Sequence, residues 1–122
     1  MIKTADEAIH ILNAVNSEWM GLVADTGSFL TANPYNDIDK VIPYAVNWQL
    51  KDLLKRRQGG PIDVQRFTRL LLKHNYRGYV PIEALPGPEG RENFNPHQQV
   101  EKLYNAFRNA ILAQQGARPD LL

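Results

Sequence analysis

The sequence predicts an α/β fold in which three parallel strands alternate with helices, preceded by one helix. Three short segments, GLVAD, VNWQLK and YVPIE, each finish on polar residues that strand parity points one way: Asp25, then Gln49 and Lys51, then Glu83. A helical pattern follows each of them, and strands separated by helices normally run parallel through right-handed crossovers. In such folds chemistry gathers at the carboxyl ends of the strands.

The leading helix begins at Thr4-Ala5-Asp6-Glu7, a capping box in which Thr4 and Glu7 satisfy each other's backbone N–H groups. Ile9, Leu12 and Val15 recur on one face, with Ala8 and Ile11 beside them. The first strand is Leu22–Asp25, started by Gly21 and closed by Thr26-Gly27. A loop over 28–36 leads to Asp37 as N-cap of a helix carrying Ile38, Val41 and Ile42. Pro43 stops that helix, because its ring clashes with the preceding turn and it has no N–H to give.

The second strand, Val46–Lys51, alternates cleanly. Val46, Trp48 and Leu50 share one face; Asn47, Gln49 and Lys51 share the other. After a basic, glycine-rich loop over 55–61, Asp63 caps a helix whose Phe67, Leu70, Leu71 and His74 follow helical spacing. Residues 75–78 close it, and Tyr79–Glu83 is the third strand. A proline- and glycine-bearing loop over 84–94 precedes Asn95, Pro96 and Gln98, an N-cap, an N1 proline and an N3 partner. The last helix shows Val100, Leu103, Phe107, Ala110 and Ile111 in a stripe. Residues 1–115 are expected to form the domain and 116–122 a flexible tail.

At 122 residues there is room for one domain. Its 43% apolar and 22% charged residues describe an ordinary globular protein. A net charge of +1, with no basic run longer than Lys55-Arg56-Arg57, argues against nucleic acid as a partner. No cysteine is present, so disulfides and thiolate chemistry are excluded. No apolar run approaches the roughly 18 residues that span a bilayer, and a cytoplasmic location without membrane partners is expected. There is no nucleophile elbow, P-loop or GxGxxG.

If Leu22, Ala24, Val46, Trp48, Leu50, Val80 and Ile82 pack against helices, the other face holds Val23, Asp25, Asn47, Gln49, Lys51, Tyr79, Pro81 and Glu83. Strands buried on both sides read as continuous apolar runs, and these do not. Carboxylates on such a face need a metal, a cation or water. An Asp before Thr-Gly also suits a plain turn, and a Glu at a strand end also suits solvent. The basic trio likewise reads as a solvated loop as readily as a substrate contact. Three strand–helix units are about half of an eight-fold barrel, which takes roughly 250 residues; the architecture expected is a partial, half TIM barrel.

From about Thr4 to Ile111 the chain resembles the carboxyl-terminal half of the sugar phosphate isomerase/epimerase family, the xylose isomerase-like TIM barrels. GLVADTGSF, AVNWQLKD and PIDVQRFTRLLLKHNYRGYVPIE carry the resemblance, with YRGYVPIE the most specific. It implies that these are the sixth, seventh and eighth strands of a barrel. It also implies a divalent metal, Mn or Mg, held by Asp25, by Gln49 in a position where the family has His, and by Glu83. The family's strand-five Glu has no counterpart, and Glu7 and Glu18 are wrongly placed to replace it. Glu83 and Lys51 are the implied catalytic groups for proton transfer through an enediolate. Gln49, Lys51 and Arg57 are the candidate contacts for a sugar or sugar phosphate. His10, His74 and His97 sit on helices or helix ends, which argues against an endonuclease IV-like multi-zinc site.

With an incomplete ligand set the chain by itself is expected to be inactive. The alternative expectation is a non-catalytic half-barrel that assembles with another chain or binds sugars without turnover. Open sheet edges predict a homodimer or a missing amino-terminal half. A Lys51 lying between Asp25 and Glu83, neutralising both, is a further possibility on the residues alone.

Overall fold

A computed structural model describes residues 1–117. Helix α1 (Ala5–Val15) leads to strand β1 (Leu22–Asp25), helix α2 (Pro34–Val41), strand β2 (Ala45–Lys51), helix α3 (Val64–Lys73), strand β3 (Ile82–Glu83) and helix α4 (Pro96–Ala117). The three strands form one sheet in the order β1-β2-β3, and both pairings are parallel. The fold is α/β, as expected.

One face of the sheet carries the core. Ala24, Trp48 and Leu50 are buried there against Ile38 and Val41 of α2, Phe67 and Leu71 of α3 and Leu103 of α4. Trp48 and Phe67 meet edge to face, 5.3 Å between ring centroids. The helices pack in chain order, α1 on α2, α2 on α3 and α3 on α4. On the opposite face Val23 is 57% exposed.

Several local expectations hold in detail. The Thr4–Glu7 capping box is complete, and the two backbone amides that Glu7 accepts hold its carboxyl below the ordinary carboxylate range. Asp63 caps α3 by accepting from the Arg66 amide, and Asn95 accepts from the Gln98 amide at the start of α4. Others are corrected. The buried side of α1 is Ala5, Ala8 and partly Ile9 and Leu12, whereas Ile11 and Val15 are exposed. Helix α2 begins four residues early: Asn33 caps it and Pro34 is its first residue.

Asp37 is buried instead of capping α2, and its carboxylate accepts from the amide of Ala5 at 2.7 Å and from the Thr31 hydroxyl. It thereby satisfies one of the orphan N–H groups at the start of α1. Val46 leaves the packed face: the β1–β2 register slips between Leu22 and Val23, so Val46 has no partner and is 64% exposed. A Cβ on Gly21 would stand 2.6 Å from its side chain, so only glycine fits beside this slip.

The third strand is shorter than Tyr79–Glu83. It pairs only through Ile82 and Glu83, because Pro81 has no N–H for the ladder and contributes just its carbonyl, to Leu50 N at 2.8 Å. Gly116 and Ala117, assigned to the tail, continue α4; the rest of the expected tail, residues 118–122, lies outside the described residues. Val100 in the α4 stripe is 36% exposed, while Leu103 and Ala110 are buried.

Candidate functional site

The parallel register brings the polar strand ends together. Asp25 lies opposite Gln49, and Lys51 opposite Glu83. Lys51 Nζ is 2.6 Å from Glu83 Oε2 and 3.7 Å from Asp25 Oδ2, so one ammonium bridges two carboxylates from the flanking strands. The Lys51 side chain is only 16% exposed, which strengthens the pairing relative to a solvated bridge.

Asp25 has two tasks. Its Oδ1 accepts from the Gly27 amide at 2.8 Å, closing the turn after β1, while Oδ2 faces Lys51. Asp25 thus closes the turn and also faces the lysine of the neighbouring strand. Gly27 sits so tightly under β2 that a Cβ would lie 2.9 Å from the Leu53 carbonyl and 3.0 Å from Lys51 Cγ.

Thr26, fully buried, was not singled out by sequence reasoning. Its hydroxyl accepts from the Lys51 amide at 2.8 Å, and its own amide donates to the Gln49 carbonyl at 3.0 Å. It fixes the backbone from which Lys51 projects. The available signal is a small hydroxyl residue directly after the strand-ending carboxylate.

Arg57 lies beside this rim. It donates from one guanidinium nitrogen to the Pro86 carbonyl at 3.1 Å. Asp25, Lys51, Arg56 and Arg57 line one cleft of about 340 Å³ with Gly27, Ser28, Leu53 and Leu85. Gln49 stands next to Asp25 in register but makes no side-chain hydrogen bond among the described residues. Asp52, the next residue after Lys51, faces Ile62, Val64 and Lys102 instead, and burial pushes its carboxyl above the ordinary range.

A larger cleft of about 510 Å³ opens between α3, α4 and the segment before β3. Leu71, Tyr76, Phe107 and Ile111 line it, no carboxylate does, and burial raises the Tyr76 phenol. Its lining lies away from the polar strand ends, and its acid–base groups are tyrosines alone.

A divalent ion among Asp25, Gln49 and Glu83 would find two carboxylates and one neutral amide oxygen, a set Mg or Mn accepts in kind. As arranged, however, the residues do not fit it. One Asp25 oxygen is committed to Gly27, and the Lys51 ammonium stands against the remaining carboxylate oxygens, where it would repel a second cation. Among the described residues, no group of three or more His, Cys, Asp or Glu side chains could hold a metal. Within the same residues, no helix is long and apolar enough to cross a membrane.

The arrangement supplies a cation between two potential proton acceptors, with hydrogen-bonding groups at its margin. In a comparison with known proteins, no family model and no curated protein matched the chain.

Proposed function

We propose that this chain is the carboxyl-terminal part of a sugar or sugar phosphate isomerase/epimerase of the xylose isomerase-like barrel type, its Asp25–Lys51–Glu83 rim recognising a polyhydroxylated substrate. The observation that carries the reading is the convergence of three ionised side chains from three adjacent parallel strands, Lys51 Nζ lying 2.6 Å from Glu83 and 3.7 Å from Asp25. Supporting it are the outer edges of β1 and β3, which have no strand partner among the described residues, and the exposure of Val23 on the face that a closed barrel buries. Further strands, from an amino-terminal half or a second copy of the chain, would cover both.

The chemistry follows from the groups present. Glu83, as carboxylate, removes the proton from the carbon next to a sugar carbonyl; the C–H electron pair becomes the enediolate, and the carboxyl keeps the proton. Lys51 pairs with the oxygen on which negative charge develops. Glu83 then returns the proton to the neighbouring carbon while the hydroxyl proton of that carbon's oxygen passes to the former carbonyl oxygen, so hydroxyl and carbonyl exchange places. Inversion at the same carbon needs a second proton carrier on the other face, for which Asp25 is the remaining carboxyl group. No step is routed through a metal, because the donor set does not suit one while Lys51 is in place.

A specific observation also favours binding without turnover. Glu83, the proton carrier, already accepts from the Lys51 ammonium at 2.6 Å, so one of its carboxylate oxygens is occupied before any substrate arrives.

Both readings are tested by titrating the full chain with free ketopentoses and aldopentoses in D₂O while following its amide resonances. Shifts at residues 25, 51 and 83 that vanish in Lys51→Met support the sugar site, and their absence sinks it. Deuterium incorporation next to the sugar carbonyl identifies catalysis; binding without incorporation identifies the non-catalytic half-barrel.

A further inference from the structure

We propose that the cleft beside the rim is a phosphate subsite, so that the ligand of this protein is a phosphorylated sugar whose ester is held by Arg56 and Arg57. The sugar part of this statement rests on the reading above; the phosphate part rests on the cleft alone.

The cleft carries an imbalance of charge. Lys51, Arg56 and Arg57 line it against a single carboxylate, Asp25. Lys51 is neutralised by Asp25 and by Glu83 beyond the wall. Neither arginine has a carboxylate partner among the described residues. Two guanidinium charges therefore line a concave site of about 340 Å³ whose one carboxylate, Asp25, is paired with Lys51. A phosphate monoester, close to a dianion at neutral pH, matches that deficit, and its oxygens suit the fork of guanidinium donors.

The backbone that carries the two exposed arginines is also held in place. Lys55, Arg56 and Arg57 all have positive φ, at 48°, 52° and 74°. For residues with a Cβ the left-handed conformation is costly, and three in succession persist only where surrounding bonds enforce them. Those bonds are present. The Arg56 amide donates to the Gly27 carbonyl at 2.6 Å, tying the turn to the loop after β1. Gly59 donates to the Leu54 carbonyl at 3.0 Å, and Leu54 to the Gly60 carbonyl at 2.9 Å.

Arg57 spends one nitrogen on the Pro86 carbonyl at 3.1 Å, which orients the plane and leaves its other N–H groups for a ligand. The Ser28 hydroxyl, on the same wall, makes no hydrogen bond among the described residues and is a further donor. A phosphate at the arginines would direct the rest of a sugar toward the Lys51–Glu83 pair, which shares the wall through Lys51.

The test uses the full chain, calorimetric titration and amide shift mapping, with three probes: inorganic phosphate, a free pentose and the 5-phosphate of that pentose. The phosphoester is expected to bind about tenfold or more tightly than the free pentose, the equivalent of about 1.4 kcal/mol. Inorganic phosphate alone should shift the amides of residues 27, 28 and 55–57. In a double variant, Arg56→Gln with Arg57→Gln, the ratio of ester to free-pentose affinity should fall to about twofold or less. The shift mapping needs no variant and so stands even if the double variant fails to fold.

Equal affinity for ester and free pentose, or phosphate shifts scattered over the surface, would overturn the subsite while leaving the sugar reading intact. Phosphate shifts at the cleft without any sugar binding would support the subsite and remove the sugar reading.

Discussion

Lys51 and Glu83 are joined twice, as direct partners in the β2–β3 ladder and as an ion pair 2.6 Å apart. Because Asp25 approaches the same ammonium from the other side, removing the cation leaves two carboxylates on one rim.

Lys51→Met is therefore expected to destabilise the chain by about 1–3 kcal/mol, below the range for a fully buried pair because Glu83 is partly solvated. Adding Glu83→Gln should recover part of that loss, which urea denaturation of the four members of the cycle would measure. Full additivity would show that the two residues do not interact. Lys51→Met should also acquire weak Mn²⁺ binding, visible by paramagnetic line broadening at residues 25 and 83, that the parent chain lacks.

Asp37 links the start of α1 to α2 through a buried carboxylate that accepts from the Ala5 amide and the Thr31 hydroxyl. Asp37→Ala leaves both donors without their acceptor and should cost about 2–4 kcal/mol in denaturant titrations. A loss below about 0.5 kcal/mol would mean that water replaces the carboxylate.

Trp48 fills the centre of the core, yet its indole N–H is a buried donor without an acceptor among the described residues. Trp48→Ala should cost about 3–5 kcal/mol. Trp48→Phe keeps an edge against Phe67 and deletes the unpaired donor, so its cost should be less than half as large. Equal losses for the two variants would show that the N–H is satisfied.

Asp39 of α2 contacts His74 Nε2 at 2.6 Å and Lys73 Nζ at 2.9 Å, and these two partners, His74 first, hold its carboxyl below the ordinary range. The folded state thus gives up this proton more readily than the unfolded chain. Its stabilisation is complete above the unfolded carboxylate value of about 3.9 and is lost as pH falls through the lower folded value. In Asp39→Asn the acid limb of a Tm-against-pH curve should become shallower, with a loss near neutrality of about 1 kcal/mol or less. An unchanged acid limb would rule out this linkage.

The parts legible in the sequence are those governed by short-range rules. The capping box at Thr4, the caps at Asp63 and Asn95 and the alternation of Trp48 with Gln49 need only neighbouring residues, and the structure repeats them. Strand parity likewise anticipated that Asp25, Lys51 and Glu83 share a rim. What escaped depends on partners distant in sequence. Asp37 reads as a cap by its local context but serves an amide 32 positions away. Val46 obeys alternation until a slip beside Gly21 removes its partner, and the left-handed turn over 55–57 is enforced by Gly27 across the sheet end. Thr26 escaped for the same reason, since its value lies in the Lys51 backbone it holds.

The brevity of β3 has one more consequence. Among the described residues, only the Leu50–Ile82 and Lys51–Glu83 pairs join this strand to its neighbour in the ladder, so the Lys51 ammonium is also part of the latch. A ligand drawing Lys51 away from Glu83 loosens the last strand, and one reinforcing the pair tightens it. Occupancy of the rim is thereby converted into hydrogen-exchange protection at residues 82 and 83, a mechanical readout that requires no knowledge of the reaction.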